Sequence, residues 1–193
     1  MRKKQNQNGV KILIIGIILV CLVLGYYFYL SQKAASRKQE SEVKITEVQN
    51  ALLRNLDTNY PPTPREVLKC YCQMAQCLYN ETYTEEEFKE LALKIQTLYD
   101  AELVANTTQD QYLQALKWDI EQFTKEKIVI SSYPLSSATD VEEFKQDGYS
   151  WAKLYCTFTL RTGTQLSSTQ EVFLLRKDEE NHWKIYGWEL VEQ

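Results

Sequence analysis

The chain has 193 residues, of which 44% are hydrophobic, 25% charged and 12% aromatic, with six glycines and four prolines. These fractions are typical of globular proteins and exclude a wholly disordered chain, a collagen-like repeat and a low-complexity protein. Residues 1–30 contain four Lys or Arg and no acidic residue, so the remainder carries a formal charge of −8. An acidic domain lacks the clustered Lys and Arg that binding to phosphate backbones needs, which argues against nucleic acid as a partner.

The strongest signal is an uncharged stretch over residues 12–30, with the sequence ILIIGIILVCLVLGYYFYL. A helix of this length, at about 1.5 Å per residue, nearly spans the hydrocarbon core of a bilayer, which is about 30 Å thick. The run is longer than the apolar region of a signal peptide, and the aromatic residues at its end suit a membrane–water interface. We therefore predict an uncleaved transmembrane helix, with the lipid bilayer as a partner.

The charges beside this stretch predict its orientation. Residues 1–11 are rich in Lys and Arg and contain no acid, and a long C-terminal domain is translocated largely regardless of its charge. The sequence thus predicts a cytoplasmic tail over residues 1–11 and a cell-membrane span over residues 12–30. All residues after the span are expected on the extracytoplasmic side of the membrane.

Residues 31–59 are predicted to form a polar stalk that contains a short helix. Its weak apolar stripe has the three- and four-residue spacing of an amphipathic helix. Two turns of stripe are fewer than a coiled coil needs, which favours a helix that lies on its own domain. The stripe consists of Ile45, Val48, Leu52 and Leu56.

Three further helices are predicted between residues 60 and 127. The first begins at Pro64 with Thr63 as its N-cap, and the others begin after Thr84 and Thr108. Each Thr is followed three positions later by Glu or Gln, which is the pattern of a capping box. Their core positions include Val67, Tyr71, Met74, Leu78, Phe88, Leu91, Ala92, Ile95, Leu98, Tyr99, Leu113, Leu116, Ile120 and Phe123.

After Lys127 the hydrophobic period changes from 3.6 to 2, which indicates β-strands. A short strand is predicted over residues 128–133, and a long one over residues 149–161 after an Asp-Gly turn. Two more strands follow, one ending near residue 176 and one over residues 182–190. Consecutive strands with short loops form an antiparallel meander, and helices followed by strands indicate an α+β domain over residues 60–193.

This order of elements resembles the cone-shaped α+β fold of the nuclear transport factor 2-like superfamily, with three helices packed on a curved antiparallel sheet. The motif Tyr60-Pro61-Pro62-Thr63-Pro64-Arg65-Glu66-Val67 resembles, more closely, a family of single-pass membrane proteins from Clostridia-type Gram-positive bacteria. The motifs at residues 79–84, 98–100 and 130–133 support the same resemblance, which covers roughly residues 55–190. Members of the superfamily include isomerases, dehydratases, ligand binders and secretion-system scaffolds, so the fold does not imply one activity.

No catalytic residue, metal ligand or cofactor is predicted. His182 is interpreted as a solvated residue at a strand end, because charged loop residues surround it. Cys70, Cys72 and Cys77 lie on one predicted helix, where no two of them can bridge. Free buried thiols are favoured, and the alternative is a disulfide from Cys156 to Cys70 or Cys77. A zinc site would need four ligands at short loop spacings, which the sequence lacks.

One face of the predicted sheet is a candidate partner-binding surface. Period-2 counting places Tyr149, Trp151 and Tyr155 opposite the apolar face of their strand, and Tyr186 and Trp188 of the last strand are expected to join them. Large exposed apolar patches mark partner or ligand sites. A homodimer or another envelope protein would bind there, and the alternative is that helices or the stalk cover this face as ordinary core.

Three functions remain open from the sequence. The first is a non-catalytic binding or interaction module of the bacterial cell envelope. The second is an assembly subunit of a secretion or conjugation-type complex, similar in layout to a type IV secretion component with one span and an outer domain. The third is an anchored isomerase- or dehydratase-like enzyme, which a deep pocket with a buried carboxylate and a tyrosine would favour.

Overall fold

The computed structural model of the chain describes residues 45–191. The predicted tail over residues 1–11, the span over residues 12–30 and the first part of the stalk lie outside these residues. Among the described residues, no helix is both long enough and apolar enough to cross a membrane. The described part is an α+β domain, as predicted, in which helices precede an antiparallel sheet.

The helices occupy the N-terminal half of the described chain. Helices α2, α3 and α5 are the three that the capping residues predict, whereas the one-turn helix α4 was not predicted. Helix α1 is the part of the predicted stalk helix that falls within residues 45–59. Their bounds are α1 Glu47–Leu53, α2 Pro64–Asn80, α3 Glu85–Gln96, α4 Ala101–Ala105 and α5 Gln109–Glu126.

Threonine caps explain where the long helices begin. The side chains of Thr84 and Thr108 accept hydrogen bonds from the backbone N–H three residues later. The side chain of the residue at that position accepts a bond from the backbone N–H of the threonine, so both capping boxes are confirmed. At α2 only half of the predicted box is present. Thr63 accepts from the Glu66 N–H at 3.2 Å, but the Glu66 carboxylate accepts from the Thr63 hydroxyl instead of the backbone. These bonds satisfy N–H groups that lack a partner within the helix.

Helix α1 packs on its own domain, as the short stripe favours. Val48 is fully buried, and the helix contacts α2 and α3. The rest of the predicted stripe is wrong in part, because Leu56 is buried beyond the end of the helix and Ile45 precedes the helix and is 50% exposed. Lys94 of α3 donates hydrogen bonds to the carbonyl groups of Leu52 and Arg54 at the end of α1. Lysine at this position satisfies free carbonyls and complements the negative end of the helix dipole.

Five strands form one antiparallel sheet in which β3, β4 and β5 are the predicted meander. Strands β1 and β2 both pair with β3. The unpredicted strand β2 is short, polar and exposed, and it joins β3 through Asp147 and Gly148, which both have positive φ as a tight hairpin turn needs. The bounds are β1 Ile128–Ser132, β2 Glu142–Gln146, β3 Tyr149–Thr162, β4 Gln165–Lys177 and β5 Trp183–Leu190.

The sheet has two faces that differ in their covering. The helical face packs against the helices, and its central residues have no exposed surface: Leu154, Cys156, Phe173, Leu175 and Ile185. The outer face carries the alternate residues of β3 and β4, since side chains alternate along a strand. The pairing of β4 with β5 shifts at one point, because Leu175 pairs with Ile185 while Leu174 pairs with Gly187. Tyr186 is therefore an extra residue, a β-bulge.

Candidate functional site

The five residues predicted to form one aromatic patch lie on two faces of the sheet. Tyr149, Trp151 and Tyr186 come together on the outer face. Tyr155 is also on that face, where Lys153 Nζ lies 5.4 Å from its ring centre. Trp188 lies on the helical face, opposite Phe173. The predicted position of Trp188 is wrong because the bulge at Tyr186 adds one residue and so reverses the face of every later residue in β5.

On the outer face, Arg176 of β4 is held by two carboxylates. Its Nε and Nη2 atoms donate to the Asp100 carboxylate at 3.0 and 2.6 Å, and Nη1 donates to Glu102 at 2.8 Å. The Arg176 and Asp100 side chains are only 11% and 4% exposed. Hydrogen bonds to Asp100, and then to Glu102, raise the pKa of Arg176 above its ordinary value, so the cation is fixed.

Three aromatic rings complete this group around the guanidinium, which we call the arginine cluster. The distances from Arg176 Cζ to the ring centres are 4.6 Å for Tyr149, 4.9 Å for Tyr186 and 5.5 Å for Trp151. Such geometry favours cation–π attraction. Trp151 is 9% exposed and its indole N–H donates to the Gln146 carbonyl at 3.1 Å. Trp151 thus packs as a core residue, whereas Tyr149 on the same face is 47% exposed.

On the helical face, four rings from four parts of the chain form a second group, which we call the aromatic cluster. It consists of Tyr71, Tyr99, Phe173 and Trp188. The Trp188 ring centre lies 5.8 Å from those of Phe173 and Tyr99 and 6.0 Å from that of Tyr71. Phe173 is fully buried, whereas Trp188 is 42% exposed. The cluster is therefore a supported aromatic surface that is open to solvent on one side.

Local structure explains how each ring reaches the cluster. Tyr71 belongs to the predicted core stripe of α2. Tyr99 was predicted as a helix residue, but α3 ends at Gln96, and residues 98–100 instead pair with the edge of β5. The Asp100 N–H donates to the Ile185 carbonyl, and the Ile185 N–H donates to the Leu98 carbonyl, both at 2.8 Å. Because this segment is extended, Tyr99 joins the aromatic cluster while Asp100 joins the arginine cluster.

Glu171 lies beside the aromatic cluster on the same face of β4, two residues before Phe173. It pairs across the sheet with Cys156 on one side and Leu190 on the other. Within residues 45–191, no Lys, Arg or His lies within ion-pair distance of its carboxylate. Burial raises the pKa of Glu171. The sequence analysis missed this residue because a single Glu in a strand carries no distinguishing signal.

The tyrosines of the cluster stay neutral. Burial is the main cause that raises the pKa of Tyr99 to about 12. Burial also raises the pKa of Tyr71, with smaller contributions from neighbouring groups that include Glu171. The rings beside Glu171 therefore offer uncharged faces.

The thiols are packed inside the domain. Cys72 Sγ lies 3.8 Å from Cys156 Sγ, and both residues are fully buried and free. The predicted preference for Cys70 or Cys77 as the neighbour of Cys156 is wrong, because the buried side of α2 is wider than the predicted stripe and includes Cys72. Cys70 instead accepts a hydrogen bond from Arg54 at 3.0 Å. Burial raises the pKa of Cys72, which keeps it a thiol.

His182 lies in the turn between β4 and β5, next to charged residues as predicted. Its ring stacks on Tyr60 at 4.3 Å, and its Nδ1 atom is 3.4 Å from Glu180 and 4.0 Å from Asp178. These three groups have the donor types and proximity to hold a metal ion. Asp178 already accepts the N–H groups of Glu180 and His182 and pairs with Lys184, so its carboxylate has a structural role in the turn.

Two open clefts border α1 on the described surface. One, of about 410 Å³, lies between α1 and α2 and includes Arg54, Cys77 and Tyr133. The other, of about 640 Å³, lies between the end of α1 and α3. Neither cleft is lined by Glu171 or by a ring of the aromatic cluster. The charged and aromatic groups that could bind a ligand therefore lie on the sheet and not in these clefts.

Comparison with known protein families gives a match over most of the chain. The family described as "Domain of unknown function (DUF6715)" matches residues 1–188. No curated protein and no solved structure matches the chain. The family description carries no activity, so the function has to be argued from the clusters themselves.

Proposed function

The chain belongs to the DUF6715 family, and we propose that it is a membrane-anchored, non-catalytic binding module of the bacterial cell envelope. The observation that carries this proposal is the aromatic cluster, in which Trp188 remains 42% exposed although three other rings support it. The domain would bind its ligand at this surface, outside the membrane.

The membrane part of the proposal is supported by the sequence. Residues 12–30 carry no charge, and the basic residues before them favour a cytoplasmic N-terminus. The finer fold, a cone-shaped domain like that of the nuclear transport factor 2-like superfamily, belongs to the same proposal. The order of helices and the β3–β4–β5 meander support it, since both agree with the resemblance in the sequence.

The physics of an exposed, supported tryptophan favours binding. Burial of a large aromatic side chain contributes about 1.5–3 kcal/mol through the hydrophobic effect, and tryptophan and tyrosine are enriched at binding hot spots. Tyr71, Tyr99 and Phe173 restrict the Trp188 ring before any ligand arrives. Little side-chain entropy is then lost on binding, which increases affinity.

An anchored isomerase or dehydratase is the second candidate. The observation that favours it is Glu171, a half-buried carboxylate with a raised pKa next to Tyr71. A carboxylate with this property can act as a general base. No hydrogen bond joins the Tyr71 hydroxyl to Glu171 in the described domain, and the open surface lacks the enclosure that excludes water from a reacting pair. Binding therefore explains the arrangement better than catalysis.

The location is tested by a reporter that is active only in the cytoplasm, fused after Gln193 in the full chain. The proposal expects an inactive reporter, because the domain would lie outside. The control is the same reporter fused before residue 1, which should be active. Robust activity of the C-terminal fusion would reverse the orientation.

Binding at the cluster is tested with the full chain labelled with 5-fluorotryptophan and purified in a maltoside detergent. The four tryptophans give separate fluorine signals, which single Trp→Phe variants assign. A low-molecular-weight extract of the producing cells should shift the Trp188 signal and leave that of Trp118, which is 63% exposed on α5, unchanged. Equal shifts of both signals, or no shift of Trp188, would contradict binding at this surface.

A further inference from the structure

We infer that the aromatic cluster binds a small organic cation of the alkylammonium class, with Glu171 as its counter-charge. This inference rests on the proposed function and names the ligand class of the same surface. It follows from the ring geometry, from the charge beside the rings and from a comparison within the molecule.

The exposed Trp188 ring suits a cation, and the three rings packed against it hold it in place. Tyr71, Tyr99, Phe173 and Trp188 lie with neighbouring ring centres 5.7–6.2 Å apart. Aromatic faces carry negative electrostatic potential and attract ammonium groups within about 6 Å, with tryptophan the strongest. The exposed indole of Trp188 is the ring that a ligand from solution can reach.

The charge beside the rings selects the sign of the ligand. Glu171 is half-buried on the same face, and no basic side chain of the described domain forms an ion pair with it. A cation that approaches the rings would pair with this carboxylate and compensate the loss of its hydration. The net charge of −8 over residues 31–193 also favours the approach of cations over anions.

The arginine cluster is an internal precedent for this chemistry. There, three rings and two carboxylates surround the cation of Arg176, and the rings lie 4.6–5.5 Å from it. The aromatic cluster also has a carboxylate on the same sheet face as its rings, but no Lys or Arg among residues 45–191 forms an ion pair with that carboxylate. The same interactions can therefore hold a cation that comes from outside the chain.

The choice of an alkylammonium ligand follows from the balance of apolar surface and hydrogen-bond acceptors at the site. The exposed Trp188 ring and one carboxylate offer apolar surface and few hydrogen-bond acceptors. A guanidinium has five N–H donors to satisfy, whereas an alkylated ammonium has few or none and is the usual partner of aromatic surfaces.

The test compares choline with its neutral isostere 3,3-dimethylbutan-1-ol, since the two differ mainly in charge. Binding to the full chain in maltoside detergent is measured by titration calorimetry. We expect choline to bind about tenfold more tightly, a difference of about 1.4 kcal/mol, which lies between the values of exposed and desolvated cation–π contacts. Glu171→Gln should remove most of this preference, and Trp188→Leu should weaken both ligands.

Two variants serve as matched controls. Glu189→Gln removes a carboxylate one residue from Trp188, at an exposed position on the outer face. Trp118→Leu removes an exposed tryptophan far from the cluster in sequence. Both should bind choline like the parent chain. If Glu189→Gln abolished the preference as Glu171→Gln does, the general acidity of the domain and not Glu171 would be responsible, and the inference would be wrong.

The remaining outcomes separate the ligand class from the binding function. Equal affinities for choline and the neutral isostere, both dependent on Trp188, would overturn the cation inference and leave the binding module standing. The same holds if neither probe binds while cell extract still shifts the Trp188 fluorine signal. Absence of probe binding together with an unshifted Trp188 signal would overturn both.

Discussion

The arginine cluster and the aromatic cluster lie on opposite faces of β4 and β5 and have similar components but different exposure. Each combines aromatic rings with carboxylate groups. In the arginine cluster the protein supplies the cation, and Trp151 is 9% exposed. In the aromatic cluster the charge is Glu171 alone, and Trp188 is 42% exposed. The comparison indicates that the Arg176 cation lets one ring, Trp151, pack as a core residue, although Tyr149 beside it stays 47% exposed.

The electrostatics of the two clusters explain this difference. A buried ion pair is stable only with good geometry and with hydrogen bonds for its remaining atoms. Asp100 meets this condition, because it accepts two bonds from Arg176 and a third from the Glu102 N–H at 2.9 Å, which also caps α4. Glu171 has no such partner in the described domain, so part of its dehydration remains uncompensated, and its pKa is raised.

The largest effect is expected from Asp100→Ala, which would leave the Arg176 guanidinium buried without its main partner. Loss of one member of a buried pair destabilises a protein by about 3–5 kcal/mol. Urea unfolding of the full chain measures this change. The control is Lys117→Ala, which breaks the exposed Lys117–Glu85 pair and should change stability far less, because solvent screens this pair. Equal effects of the two variants would mean that the Arg176 pair is not desolvated.

The Asp100–Arg176 pair also marks a limit of the sequence analysis. The caps and stripes predict α2, α3 and α5, because capping and periodicity depend on residues a few positions apart. Asp100 is followed only by one turn of helix and lies 76 positions from Arg176. Its burial depends on a segment that pairs with β5, and no local sequence pattern predicts such a pairing.

A second contrast is expected between Trp151→Ala and Trp188→Ala. Removal of the packed Trp151 ring should destabilise the domain by about 3–5 kcal/mol. Removal of Trp188, which is partly exposed on a surface that already faces water, should destabilise it by about 1–2 kcal/mol. Thermal and urea unfolding of the two full-length variants give the comparison. A larger loss for Trp188→Ala would show that Trp188, not Trp151, is the core residue.

The strands show which part of the site the sequence could predict. Alternation correctly assigns the faces of β3, including Trp151, since no bulge interrupts its pairing with β4. The same counting fails for Trp188, because the bulge at Tyr186 shifts the register of β5. The hydrophobic pattern does not reveal this shift, since Tyr186 and Trp188 are aromatic on either assignment. One inserted residue thus divided the predicted patch into two clusters.

Glu102→Ala provides a smaller change within the arginine cluster. Glu102 accepts bonds from Arg176 at 2.8 Å and from the Tyr186 hydroxyl at 3.0 Å, but its side chain is 60% exposed. Water can replace an exposed partner, so we expect a loss of stability in urea unfolding that is much smaller than that of Asp100→Ala. A loss as large as that of Asp100→Ala would contradict the view that burial, and not the number of bonds, sets the strength of this cluster.

The smallest and most diagnostic change concerns Glu171→Gln without ligand. Burial raises the pKa of Glu171 in the folded state above that in the unfolded state. At a pH below both values the carboxyl is protonated in both states, and its titration does not affect stability. As the pH rises through the folded-state pKa, the ionised form is disfavoured in the fold, and the parent chain loses stability relative to the variant.

We therefore expect Glu171→Gln to be slightly more stable than the parent chain at pH 7, by a few tenths of a kcal/mol after screening of a half-exposed group, with a smaller difference near pH 4. The titratable groups that face Glu171 are Tyr71 and Cys72 of α2 and Cys156 of β3. Burial raises the pKa of Tyr71 and Cys72, so neither ionises in this range.

Saturating choline should reverse this order, because a ligand that binds only the folded state stabilises it, and the ionised Glu171 strengthens that binding. The parent chain should then unfold at a higher urea concentration than Glu171→Gln. A carboxylate with a purely structural role would make the variant less stable under both conditions. If Glu171 lowers stability without ligand and raises it with choline, then its charge is compensated by the ligand and not by the rest of the domain.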